Sequence, residues 1–249
     1  MSSSNDAPNA PGIEGIFRAT GTGGGGQHAQ KLSRSLFSGQ IAASLREAII
    51  GGTLPAGTPL VETKLAQQVA VSRGPVRSAL HALEGEGLVR TRPNGRMVVE
   101  GFGPEDLTDL FRVRLLIEST AIRWAGREEY DPAAVLACFE TMRAEGTSTP
   151  ALVDLDIRFH QELVALSGSR FLKQSWMALA PVLHAVITLG NRELAERDPR
   201  QNFERIIVSH EGIVRPLVAR DVDGVVAKLT EQFELTRSTL PIHANAGDS

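Results

Sequence analysis

The chain has 249 residues, with 26 Lys plus Arg against 29 Asp plus Glu, giving a net charge of −3. Apolar residues make up 42% and charged residues 22%, near the average for soluble globular proteins, which excludes collagen-like, wholly disordered and disulfide-stapled classes. One cysteine, Cys138, allows no intrachain disulfide and reads as a small buried apolar residue in a reducing cytosol. No run reaches the roughly 18–20 apolar residues of a membrane span, and the N-terminus lacks a basic-then-apolar secretory pattern, so no membrane partner and a cytoplasmic location are expected.

Charge is unevenly distributed. Residues 34–102 hold eight Lys/Arg and five Asp/Glu, whereas residues 103–249 hold sixteen and twenty-two. A basic first half and an acidic second half are compatible with the first meeting nucleic acid.

Residues 1–33 are rich in Ser, Asn, Ala, Pro and Gly and end in Gly23-Gly24-Gly25-Gly26, with too little apolar surface to offset ordering, so a flexible tail is expected. From Leu36 the pattern turns helical, with Ile41, Leu45 and Ile49 on one face. Gly51-Gly52 stops this helix and Pro55-Ala56-Gly57 makes a turn. A short helix is predicted over 62–68 with Leu65 and Val69 inward. A third is predicted over 73–84, with Ser72 as N-cap, Pro75 in its first turn and Val76, Leu80 and Leu83 as its inner stripe. Leu88-Val89 and Met97-Val98-Val99 then flank Asn94-Gly95, a hairpin signal. This order is a winged helix-turn-helix, expected to span 34–102.

After Gly101-Phe102-Gly103-Pro104 the chain reads as an all-α bundle over 103–240. Helices are predicted near 104–126, 132–145, 151–167, 171–190, 202–219 and 222–240, followed by a frayed end over 241–249. The fold class is therefore mainly α.

In a helix-turn-helix the N-terminal turn of the third helix enters the major groove. Here that turn carries Ser72, Arg73, Gly74, Pro75 and Arg77. Arg73 and Arg77 share one face, and arginine donates a bidentate pair to guanine. Gly74 leaves room for close approach. Thr63 on the second helix, and Arg92, Asn94, Gly95 and Arg96 on the wing, complete the candidate DNA-contacting set.

The run Val71-Ser72-Arg73-x-Pro75-Val76-Arg77-x-Ala79-Leu80, followed by Leu83-Glu84-x-Glu86-Gly87-Leu88-Val89, resembles the GntR family of bacterial transcription regulators. The helical half resembles the FCD effector domain of the FadR subfamily, in its VanR-like variant, through Val113-Arg114-x-x-x-Glu118 and Asp156-Ile157-Arg158-Phe159-His160-x-x-Leu163. The resemblance covers about 35–240. It implies a homodimer on a near-palindromic double-stranded DNA operator, controlled by a small organic acid effector.

The second half also carries ligand chemistry of its own. Asp156 and His160 are i, i+4 on one helix, a spacing that suits either two ligands of one metal or a local hydrogen bond. His210, in an apolar run on a later helix, is either a third ligand or a core histidine with a partner. The resemblance implies that the Asp and His positions, with two further histidines, hold a divalent metal (zinc, nickel or manganese) completed by the effector's carboxylate. Gln232 stands where the last of those histidines is expected, and an amide oxygen is a weaker ligand, unless Glu231 or Glu234 supplies the oxygen instead. Arg114 is placed either towards the effector or in a surface pair with Glu118. His184 either lines the cavity or simply sits in its helix.

The expected function is a ligand-responsive DNA-binding regulator, a repressor rather than an enzyme. The alternatives are a metal-free regulator sensing a larger acyl-type ligand, and a metal-dependent hydrolase with an accessory DNA-binding domain.

Overall fold

A computed structural model describes residues 27–146 and 149–239. The tail expected at 1–33 lies outside the described residues up to 26, and the end expected at 241–249 lies wholly outside them. The chain divides into two compact units at Phe102 and Gly103.

The first unit opens with α1 (Gln27–Ile50), which starts before Leu36, where the sequence pattern turns helical, and takes in the end of the expected tail. The reason is local: 27–31 is Gln-His-Ala-Gln-Lys, free of the Gly and Pro that precede it. β1 (Pro59–Leu60), α2 (Glu62–Gln68), α3 (Arg73–Gly85), β2 (Val89–Thr91) and β3 (Met97–Val99) follow. Leu45, Ile49, Leu65, Val76, Leu80 and Leu83 are buried together, so the apolar stripes predicted on α1, α2 and α3 form one core. The sheet order is β1-β3-β2, all antiparallel, with Leu60 opposite Met97 and Arg90 opposite Val98. β1 was not predicted, being only two residues long and holding a proline.

Ser72 occupies the N-cap position of α3, but its side chain makes no capping hydrogen bond. The wing is a three-residue loop: Arg92 N–H donates to Arg96 O at 2.8 Å, and Gly95 N–H returns to Arg92 O at 2.8 Å. Gly95 sits at φ +75°, the left-handed conformation that such a loop needs at its last residue. Arg46 on α1 forks onto Glu86 after α3, with both contacts at 2.6 Å.

The second unit consists of α4 (Pro104–Ala125), α5 (Ala133–Glu145), α6 (Thr149–Ala165), α7 (Arg170–Arg197), α8 (Pro199–Val218) and α9 (Val222–Thr239). Pro104 begins α4, and Asp106 Oδ2 accepts from Gly103 N–H at 2.7 Å. α7 runs past the expected end at 190 to Arg197, where Asp198-Pro199 breaks the helical pattern of the sequence. Asp198 is the boundary. It caps α8 by accepting from Gln201 N–H at 3.0 Å, with Pro199 following at the first helical position. Met142, Phe159, Leu163, Ile213 and Leu217 form the centre of the core, with Cys138 buried among them. Among the described residues no helix is long and apolar enough to cross a membrane.

Candidate nucleic-acid interface and candidate metal centre

α3 lies with its N-terminal turn open to solvent. Ser72, Arg73, Gly74 and Arg77 are exposed there, as are Thr63 on α2 and Arg92, Asn94, Gly95 and Arg96 on the wing. Pro75 is different: it is buried under the first turn and shapes the helix start instead of offering a contact. A Cβ added at Gly74 would meet nothing within 4 Å, so the chain's own packing does not call for glycine there. Thr63, Arg73, Arg77, Gly95 and Arg96 line one groove of about 750 Å³ between the recognition helix and the wing.

Glu62 also lies in this groove. Arg77 Nε and Nη2 donate to its two carboxylate oxygens at 2.9 Å each, and Arg73 Nη2 stands 3.6 Å away. The Arg77 hydrogen bond, with the charges of both arginines, holds the Glu62 carboxyl below its ordinary value. The sequence showed the arginines but not this acid, which lies one helix earlier.

The metal-binding candidates converge in the second unit. α6 presents Asp156 and His160 one turn apart, and α8 brings His210 to them. One ligand atom from each lies within 4.8 Å of the others. Donors about 2.1 Å from a shared ion stand roughly 3–3.5 Å apart, so a small closure of this cluster would satisfy one.

The hydrogen bonds orient the rings. His160 Nδ1 is 2.9 Å from Glu118 Oε2, and His210 Nδ1 is 2.7 Å from Ile206 O. Both oxygens can only accept, so each Nδ1 carries the proton and each Nε2 of a neutral ring presents a lone pair inward. Neither Nε2 has a hydrogen-bond partner, and neither does Asp156 Oδ2. His210 Nε2 is 3.0 Å from Asp156 Oδ1, a contact that is favourable when the ring carries a second proton and donates, or when a cation sits between them. The donor set therefore fits a divalent metal.

Electrostatics agree with that arrangement. Burial would raise the Asp156 carboxyl, but His210, His160 and Arg114 outweigh it and hold the group well below the usual carboxylate range. Burial, helped by the Arg114 charge, lowers His160 and favours the neutral ring. Glu118 is held low by His160 and Arg114 against its own burial. Phe159 seals the cluster, its ring centroid 5.2 Å from that of His160 and 4.8 Å from that of His210.

Arg114 and Glu118 do pair, but not at the surface: Nε donates to Oε1 at 2.8 Å with both side chains buried. Arg114 Nη2 approaches Asp156 Oδ2 at 4.0 Å. Gln232 lines a cavity of about 30 Å³ together with Arg114, Asp156 and His210. Glu231 is exposed and pairs with Lys228 at 2.7 Å, and Glu234 is exposed, so neither replaces Gln232 in the wall. His184 pairs at the surface with Asp154 at 2.9 Å. Sequence reasoning missed Glu118 as the partner of His160. Its spacing from Arg114 was visible, but its proximity to α6 was not.

Comparison with known proteins places these two units. Residues 109–235 match the FCD domain, and residues 37–99 match the bacterial regulatory proteins of the gntR family. The gluconate operon transcriptional repressor of Bacillus licheniformis is 29% identical over 207 residues, covering 82% of this chain and 84% of the repressor. The fold is similar to that of Lar of Listeria monocytogenes, with TM-score 0.63, 18% identity and coverage of 82% of this chain and 95% of that one. It is also similar to a GntR transcriptional regulator from Rhodococcus sp. RHA1, with TM-score 0.58, 22% identity and coverage of 82% and 96%. These relatives are transcriptional regulators, not enzymes, which removes the hydrolase alternative. The chain belongs to the GntR family of bacterial transcriptional regulators, with a winged helix-turn-helix followed by an FCD domain.

Proposed function

We propose that this protein is a ligand-responsive repressor. It binds a near-palindromic double-stranded DNA operator as a homodimer and is released by a small organic acid bound in the helical domain beside a divalent metal. The observation that carries the sensor reading is the set of inward atoms without partners, Asp156 Oδ2, His160 Nε2 and His210 Nε2, in a sealed pocket. The repressor reading is supported by the gluconate operon repressor among the relatives.

Asp156, His160 and His210 would hold the ion, with Glu118 fixing the His160 ring and Gln232 facing the same cavity. The bound ion, zinc, nickel or manganese, would supply a positive site for the effector's carboxylate. Arg114, held by Glu118, orients its guanidinium towards that carboxylate. The polar lining supports a small acid over a large acyl chain. Arg73 and Arg77 would read bases in the major groove while Arg92, Asn94 and Arg96 reach the backbone from the wing. Homodimer formation fits the exposed apolar stripe Val113, Leu116 and Trp124 on α4. An effector that prefers one dimer state lowers operator affinity by the ratio of its affinities for the two states.

The test is the metal content of untagged protein purified without chelator, beside His160→Ala, together with operator binding before and after adding small carboxylates. One metal per chain, lost in the variant, with acid-dependent release of DNA, is expected. A wild-type protein that takes up no zinc, nickel or manganese overturns the metal part. Operator binding indifferent to every acid overturns the sensor part.

A further inference from the structure

The cavity beside the triad has a second charged wall. Arg205 on α8 donates from Nη2 to Asn191 Oδ1 on α7 and to Asn202 Oδ1, both at 2.8 Å. Both acceptors are neutral amides on buried residues. Arg205 Nε is sealed from water and has no partner. Among the described residues Arg205 makes no ion pair with a carboxylate. Burial works against its charge, opposed only by the field of Asp156. A guanidinium fixed by neutral partners, with its buried Nε donor unused, lacks a counter-ion in direct contact. Arg114 differs, because Glu118 already balances it.

Arg205 also stands between two spaces. It lines both the cavity of about 30 Å³ next to Asp156 and His210 and an outer groove of about 810 Å³ along α8 and α9. Arg205, Ser209, Gln232 and Leu235 border both spaces, so these four side chains are the partition between them. About 30 Å³ is one water's share of volume. An effector of several heavy atoms entering from the outer groove would displace this partition and meet the guanidinium as it did so.

We infer that Arg205 is an effector-binding residue that receives a second acidic group, so that the effector is a small acid with two acidic groups, one directed to Asp156, His160 and His210 and the other to Arg205. This rests on the sensor reading above and specifies its ligand class. Asn191 and Asn202 are positioning residues that hold the fork from behind.

The experiment is calorimetry on the full-length, metal-loaded protein with succinate and malate against butyrate and 3-hydroxybutyrate, acids of equal carbon number. The dicarboxylates are expected to bind at least about tenfold more tightly, the scale of one charge-assisted hydrogen bond. Arg205→Gln should remove that preference. Asn191→Asp keeps the shape and the contact but gives Arg205 an internal carboxylate, so it should remove the preference even if Arg205→Gln fails to fold. A wild-type protein that binds none of the four acids, or binds both classes equally, overturns the inference, as does a preference that survives in Asn191→Asp. Metal content on the same samples separates the two failures. Metal retained with equal binding sinks only the Arg205 assignment, whereas wild-type protein without metal sinks the triad reading.

Discussion

His160 Nδ1 lies 2.9 Å from Glu118 Oε2, with both side chains sealed from solvent. This contact fixes which imidazole nitrogen faces the cluster and raises its basicity. Carboxylate partners of this kind are worth about 10–100-fold in metal affinity. Glu118→Gln keeps the shape but removes the negative charge, and it leaves an amide that can offer His160 either a donor or an acceptor. We expect metal affinity, measured by chelator competition, to fall by about 10–100-fold with one ion per chain still bound at saturation. An unchanged affinity would show that Glu118 serves only to neutralise Arg114.

Glu62 occupies the donors of Arg77 and attracts Arg73 in the DNA-free protein. It also places a negative charge in the groove proposed to meet DNA. Glu62→Gln should therefore tighten binding to non-specific duplex DNA and steepen its salt dependence by about one unit of slope. Fluorescence anisotropy across a salt series measures both. If binding instead weakens for operator and random DNA alike, Glu62 acts as a brace that aims the arginines, and its attraction is part of recognition.

Arg77→Ala addresses the specific side. The guanidinium reaches the groove from the exposed face of α3. Its loss should cost about 1–3 kcal/mol of operator affinity, with random-sequence affinity much less affected. Equal loss on both DNAs would reassign Arg77 to a phosphate.

Much of this was legible in the sequence because the signals were local. The inner stripe Val76, Leu80 and Leu83 repeats at helical spacing, and all three are buried. Gly95 marks the wing because its loop places that residue in the left-handed region, and Asn94-Gly95 between two β-forming runs announces such a turn. Asp156 and His160 showed as a pair because one helix carries both. What stayed hidden depends on helices far apart in sequence. Glu118 meets His160 only because α4 packs on α6, and Arg205 meets Asn191 only because α7 packs on α8.

The pair Arg46 and Glu86 lends itself to a stability test. Its two contacts are 2.6 Å long and each side chain is only 9% exposed, so neither charge has water to fall back on. Arg46→Met alone strands the Glu86 carboxylate and should destabilise the helix-turn-helix unit by about 3–5 kcal/mol. Adding Glu86→Leu removes the stranded charge and should restore most of that loss, because replacing both members of a buried pair with apolar side chains is often close to neutral. Denaturant melts of wild type, both single variants and the double variant close the cycle. Recovery in the double variant places the energy of this contact in avoided desolvation. Additive losses would mean that Arg46 and Glu86 act independently, each through its own packing against α1 and α3.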